Sequence, residues 1–234
     1  MFFGGTLITK IKYFQPVLLA ALLLQGCILD KLEGNSTAEI FTEFNGALLT
    51  FQDARPGERF PLLVILHGAG ETGPIYMNVW QEEAAKRRAM VLAPTRMRPY
   101  EGDAGDLEYL ESAVDRTLKN YPIDPHRIWL AGVSSGGAVG RDLVKKHPER
   151  WKKVVLIASP PNENWFENED PSRYPPFLFV HGRHDEQFEM DKVLRQAVLM
   201  KHQGFRVDVF EGPDGGHEHR PQWNRAIFDW LTRG

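Results

Sequence analysis

The sequence predicts an α/β fold built on one mostly parallel sheet, and three observations predict it. Leu62-Leu63-Val64-Ile65-Leu66, Ile128-Trp129-Leu130-Ala131, Val154–Ala158 and Pro176-Phe177-Leu178-Phe179-Val180 are short, continuous apolar runs, the pattern of strands covered on both faces. Segments of helical spacing separate these runs, and strand–helix alternation is the mark of a parallel sheet with helices on both faces. Several runs end in glycine-containing loops that carry polar residues, as expected at the carboxyl edge of such a sheet, where sites form. At 234 residues and 42% hydrophobic, the chain can bury one substantial core without dividing into domains.

The elements follow in order. Ile40–Phe44 and Ala47–Phe51, joined at Asn45-Gly46, read as a hairpin with a type I′ turn and give the sheet an antiparallel start. Leu62–Leu66 is a buried strand, Pro74–Arg88 the first helix and Met90–Ala93 the next strand. Leu107, Leu110, Val114, Leu118 and Tyr121 share one helix face. The strand at Ile128–Ala131 leads into a helix from Gly137 to His147, and Val154–Ala158 is a further buried strand. A strand at 176–180, a helix over Glu189–Lys201 and a strand at Val207–Phe210 precede a terminal amphipathic helix with Trp223, Ile227, Phe228, Trp230 and Leu231. The length leaves no room for a large cap domain, so an open site is expected.

Gly132-Val133-Ser134-Ser135-Gly136 fits G-x-S-x-G at a strand-to-helix corner, the pattern of a nucleophile elbow. The tight turn strains the serine backbone, and the flanking glycines let strand and helix approach without clashing side chains. Ser134 is the candidate nucleophile; the competing reading is a Gly/Ser-rich turn before a helix. Attack on a carbonyl needs two preorganised donors for the developing oxyanion. One is the N–H of Ser135. The other belongs to His67-Gly68-Ala69-Gly70, with Ala69 preferred and Gly68 the alternative.

An acid and a base complete the order Ser, Asp, His. Asp185 follows the strand at 176–180 in the loop His181-Gly182-Arg183-His184-Asp185; its competing role is a helix N-cap, and Asp191 and Asp208 are weaker candidates. His217 lies in Gly212-Pro213-Asp214-Gly215-Gly216-His217-Glu218-His219. It is preferred to His219 because the paired glycines let the loop fold over the serine, whereas His219 is expected to start the outgoing helix, partly exposed.

With these residues in place, the chain over roughly residues 60–232 resembles the single-domain α/β-hydrolases of the carboxylesterase, polyhydroxybutyrate-depolymerase-like and "predicted peptidase" group. His67-Gly68-Ala69-Gly70-Glu71, Ile123-Asp124-Pro125-His126-Arg127-Ile128, Gly132–Gly137, His181–Asp185 and Gly216-His217 carry the resemblance. It implies an α/β-hydrolase fold, a triad of Ser134, Asp185 and His217, oxyanion donors at Ala69 and Ser135, and hydrolysis of carboxylic esters through an acyl-enzyme with no cofactor. Glu186, Gln187 and Glu189 stand where many relatives carry Val-Pro. The same triad serves peptidases and amidases on short peptides, and a non-catalytic surface binding module is the third reading.

Three loops at the carboxyl edge are expected to shape the substrate site: Thr95–Gly105, Pro160–Pro175, and the surroundings of Glu71 and Tyr76. Arg96 or Arg98 can bind a substrate carboxylate or form a surface ion pair; Arg98 is the candidate substrate contact. Trp165 with Phe166 offers an acyl or sugar platform, or pins the loop to the core. His181, His184, His217 and His219 invite a metal reading, but H-x-x-H-D is not a zincin spacing and no metal is expected. A net charge of −3 and the lack of a basic, aromatic-interleaved stripe give no reason to expect nucleic acid as partner.

The N-terminus is read separately. Lys10 and Lys12 precede the apolar run 17–24 and then Gln25-Gly26-Cys27, a secretory pattern too short to span a bilayer. Leu24-Gln25-Gly26-Cys27 resembles a bacterial lipobox, with Gln25 replacing the usual small residue. Cys27, the single cysteine, sits where lipidation takes place. The expectation is a signal peptide over 1–26, a tether over 27–37 and one catalytic domain over 38–234, lipid-anchored in the cell envelope. By resemblance to bacterial sorting rules, Ile28-Leu29 after the cysteine favours the outer membrane. Oligomeric state is not legible.

Overall fold

A computed structural model describes residues 38–41, 46–51, 53–95, 104–161 and 165–233. Eight strands form one sheet: β1 (Ala38–Phe41), β2 (Ala47–Phe51), β3 (Phe60–Leu66), β4 (Met90–Ala93), β5 (Ile123–Val133), β6 (Lys153–Ile157), β7 (Phe177–Gly182) and β8 (Val207–Gly212). Their order is β1-β2-β4-β3-β5-β6-β7-β8. β2 runs antiparallel to both β1 and β4, and the remaining pairs are parallel. The α-helices among the described residues are α1 (Gly73–Lys86), α2 (Ala104–Asn120), α3 (Ser135–Lys146), α4 (Met190–His202) and α5 (Asn224–Thr232).

The strand order fixes the layers. From β3 the chain steps to β4 on one side, and from β5 it steps to β6 on the other. Right-handed crossovers therefore put α1 on one face and α2, α3 and α4 on the opposite face. The packing agrees, with α1 against α5 and α2 against α3. The reversal opens a crevice between the carboxyl ends of β3 and β5, which align at Leu66 and Gly132; crevices at such reversals are where ligands bind.

Every residue of β2, β3, β4 and β7 is buried, because both faces of the sheet are covered. Leu130, Leu156, Phe177 and Phe179 belong to the central apolar cluster. The edge strand β8 instead exposes Asp208 and Glu211, charges that discourage pairing with another chain. The β6–β7 connection carries only the short helical turn Pro171–Arg173 among its described residues, with no cap domain there.

The opening hairpin forms with a different register from the one expected. Phe41 pairs with Leu48 and Ala38 with Phe51, two residues away from the pairing that a tight turn at Asn45-Gly46 demands. Gly46 is also not among the glycines with positive φ, which a type I′ turn requires. A Cβ on Gly46 would lie 2.5 Å from Ala93 O and 2.7 Å from Pro94 Cα. Glycine is there for close approach to the end of β4, not for the turn. A slip of two keeps each side chain on its face of the sheet.

Leu156→Ala, at a 1% exposed position of β6, is expected to cost about 3 kcal/mol of stability. Val198→Ala, at a 51% exposed site on α4, should stay within about 0.5 kcal/mol. Urea unfolding of the two variants checks the contrast.

Candidate active site

The corner between β5 and α3 is built by close packing. A Cβ on Gly132 would lie 2.6 Å from Gly136 O, and one on Gly136 only 2.3 Å from Leu66 O and 2.4 Å from His67 O. Only glycine at both positions lets α3 start against the ends of β3 and β5. Ser134 between them has φ 49° and ψ −118°, a left-handed conformation that L-residues adopt under strain. Its amide donates to Ile157 O at 2.9 Å, anchoring the corner to β6.

The strained turn brings three distant residues together. His217 Nε2 lies 2.9 Å from Ser134 Oγ, and His217 Nδ1 lies 2.9 Å from Asp185 Oδ2. A carboxylate only accepts, so Nδ1–H donates to Asp185 and Nε2 is left to accept the serine hydroxyl proton. The Asp185 side chain is fully buried, and its two oxygens accept three hydrogen bonds. Oδ1 accepts from the amides of Gln187 and Phe188 at 2.8 and 3.0 Å. Oδ2 also faces His181 Nε2 at 3.2 Å, and that same Nε2–H donates to Phe188 O at 2.5 Å. The N-cap of α4 is Glu189, so Asp185 orders its own loop rather than capping the helix.

The acid and base loops are tied by backbone. His184 N donates to Gly215 O at 2.8 Å, and Arg183 N to Gly212 O at 2.9 Å. A Cβ on Gly182 would lie 2.4 Å from the Gly215 carbonyl, so the two loops meet in backbone contact.

Of the two early-loop donors weighed for an oxyanion, Gly68 is engaged: its amide donates to Glu71 Oε2 at 2.9 Å. Ala69, next in the loop, is exposed. Ser135 opens α3, so its amide lies at the positive end of the helix dipole. His67 is buried, and its Nδ1–H donates to Gly68 O at 2.8 Å.

His219 does not start the outgoing helix; α5 begins at Asn224, after the turn Pro221–Trp223. Its ring is a strap. Asn224 Nδ2 donates to Val79 O at 2.6 Å, so Asn224 Oδ1 accepts from His219 Nε2–H at 2.7 Å. Nδ1 then accepts from the Tyr76 hydroxyl at 2.9 Å. The ring also packs on Trp80, centroid to centroid 4.6 Å. Burial pushes the imidazole down to about 4, with the Asn224 hydrogen bond pulling the other way. Burial and then the Glu71 charge drive the Tyr76 hydroxyl well above the usual tyrosine range.

A cavity of about 620 Å³ opens beside Ser134 and Ser135. Ala138, Pro160, Pro161, Phe188 and Leu199 form its apolar wall. Phe188 stands 5.6 Å from the His217 ring. The Pro160–Pro175 loop thus contributes its first two prolines, while the face from α4 and the Phe188 wall are not legible in the sequence. The charged segment after Asp185 was the available signal. Trp165 does not line this cavity: it packs edge-to-face on Phe166 at 3.9 Å, with the Arg141 guanidinium 5.7 Å from its ring. Phe166 is buried against Phe177 and Phe205, so the pair pins its loop to the core. Arg96 and Arg98 lie outside the described residues, as does Cys27. Among the described residues, no group of three or more His, Cys, Asp or Glu could hold a metal ion.

No family model matches the chain. It is 24% identical over 182 residues to the bifunctional acetylxylan esterase/xylanase XynS20E of Neocallimastix patriciarum, covering 73% of this chain and 26% of that protein. It is 27% identical over 133 residues to a poly(3-hydroxybutyrate) depolymerase of Ralstonia pickettii, covering 47% and 27%. The chain spans about a quarter of the length of those two relatives. Among solved structures, a thermostable esterase superposes with a TM-score of 0.62 at 21% identity, over 88% of this chain and 63% of that one. The fold is the α/β-hydrolase fold expected from the sequence.

The His219 strap predicts a pH dependence. Its folded value near 4 lies below the unfolded value of about 6.5, so the unfolded chain binds the proton more readily. The neutral ring's stabilisation is complete above pH ~6.5 and is lost as pH falls toward 4, by up to roughly 3 kcal/mol. Urea unfolding across that window should show this slope, flattened in His219→Gln; an equal slope in the variant refutes it.

Proposed function

We propose that this chain is a serine hydrolase that cleaves carboxylic esters through a covalent acyl-enzyme. The observation that carries this reading is the continuous hydrogen-bond chain Ser134 Oγ–His217–Asp185 at the mouth of the cavity. Similarity to esterases and a depolymerase supports ester bonds as the target.

The geometry gives the steps. Ser134 Oγ attacks the ester carbonyl as its proton passes to His217 Nε2. Asp185 remains ionised, holds Nδ1–H and stabilises the imidazolium. The tetrahedral oxyanion accepts the amides of Ala69 and Ser135, a type of contact worth about 3 kcal/mol per donor in the transition state. Collapse breaks the bond to the alcohol, which leaves with the proton from His217. Water then attacks the acyl-enzyme by the same route and frees Ser134. Asp185 suits its part because three hydrogen bonds fix the buried carboxylate behind the imidazole.

We also propose that the catalytic domain is one unit over 38–234, carried on a tether whose Cys27 is lipidated, in a bacterial envelope. The lipobox-like Leu24–Cys27 supports this. Among the described residues no helix is long and apolar enough to cross a membrane.

Two experiments test these readings. Protein beginning after Cys27 should hydrolyse p-nitrophenyl esters between acetate and octanoate, with Ser134→Ala reducing kcat at least about 10³-fold and abolishing fluorophosphonate labelling. Folded protein that neither turns over any ester nor accepts the probe would refute the assignment. In a bacterial host, the full chain should fractionate with membranes and Cys27→Ala should not; equal partitioning refutes the anchor.

A further inference from the structure

Among the described residues, the cavity beside Ser134 is lined by three cationic side chains, Arg141, Lys192 and Arg195. Arg141 stands on α3 about 10 Å along the axis from Ser134. Its Nη1 donates to Ser159 O, Ser159 Oγ and Pro160 O, all at 3.1 Å, and Trp165 backs the guanidinium. Its Nε is buried with no hydrogen-bond partner. Among the described residues no carboxylate forms an ion pair with it; Asp142, its chain neighbour, acts only through space. Buried charges are normally paired, because an unpaired one forfeits hydration without return. A half-buried guanidinium that lines a cavity and whose hydrogen-bond partners among the described residues are all neutral oxygens marks a place for an anion.

The α4 side of the cavity supplies two more cations. Lys192, Arg195, Gln196 and Leu199 line it from a single face of α4. Arg195 makes no hydrogen bond or ion pair among the described residues. Lys192 meets Glu189 at 3.4 Å, but both side chains are mostly exposed, so that pair restrains the lysine little. No Asp or Glu among the described residues lines the cavity. Lys192 and Arg195 alone would be an ordinary helix surface. It is their sharing one concavity with Arg141, beside the serine, that gives them a common target.

We propose that this cavity binds an anionic group on the acyl part of the substrate, so that the protein selects esters whose acyl chain ends in a carboxylate or phosphate. The proposal rests on the serine-hydrolase reading. Ala138, Pro160, Pro161 and Leu199 cover the methylenes between ester and anion, and the guanidinium fork of Arg141 and the Arg195 head take the charge.

The test compares monomethyl adipate with methyl hexanoate, its uncharged counterpart, by kcat/KM. The monoester should be preferred by about tenfold or more, the worth of one charge-assisted contact. Arg195→Gln should shrink that preference several-fold and Arg141→Gln should abolish it; the exposed Arg195 keeps the test open if Arg141→Gln fails to fold. Calorimetry with adipate and with butyl phosphate on the wild-type protein needs no turnover, and whichever binds identifies the anion. Binding that weakens in Arg195→Gln supports the site even if neither methyl ester is cleaved, while fluorophosphonate labelling of Ser134 judges the hydrolase reading separately. Equal or better cleavage of methyl hexanoate overturns the proposal, as does the absence of binding by both anions.

Discussion

The contact between the first turn of α3 and the carboxyl end of β3 sets the geometry of everything around it. Gly136 lies so close to Leu66 O and His67 O that no side-chain carbon fits. With α3 seated there, Ser135 and the 68–71 loop share one crevice, and Ser134 is lifted between them. The same seating brings Gly137 against Ser159, whose Cβ would lie 2.5 Å from an added carbon. Ser159 in turn holds Arg141. One backbone contact therefore positions the hydroxyl, the loop expected to donate to an oxyanion, and the guanidinium deeper in the cavity.

The second half of the site depends on how a buried carboxylate is satisfied. Removing Asp185 from water would be costly without partners, and the loop supplies them from the residues that follow it and from His181 and His217. These bonds orient the imidazole, and the Phe188 ring stands beside it. The base loop is held from the other side by the Tyr76–His219–Asn224 strap, which reaches α1 and α5. The imidazole of His217 thus stands between two networks, each anchored in a different layer.

Much of this was legible in the sequence, for reasons that are local. A parallel strand buried on both faces is a continuous apolar run, so β3, β6 and β7 stand out. The elbow is legible because its two glycines are required at fixed offsets from the serine. The hairpin register was not, since Gly46 answers to Ala93 and Pro94, residues that the sequence alone does not bring near it. The cavity wall from α4 was hidden for the same reason: helical spacing separates the buried Val193, Ala197 and Met200 from the rest, but not the face that lines the cavity. Arg141 reads as a surface residue of an amphipathic helix, and only the fold brings Ser159, Pro160 and Trp165 against it. Trp165 was open between platform and pin, and its contacts are those of a pin. For Glu71 a signal existed, an acid three residues after a glycine, but not the direction of its carboxylate.

The backbone angles of Ser134 carry a consequence for how such a chain drifts under mutation. At φ 49° and ψ −118° the residue occupies a region where glycine is at ease and a side chain is not. Replacing it with glycine would relax the turn, so the fold by itself gains from losing the hydroxyl. Conformational stability and the serine are therefore opposed at this position. A lineage released from the need for the hydroxyl would be expected to shed it early.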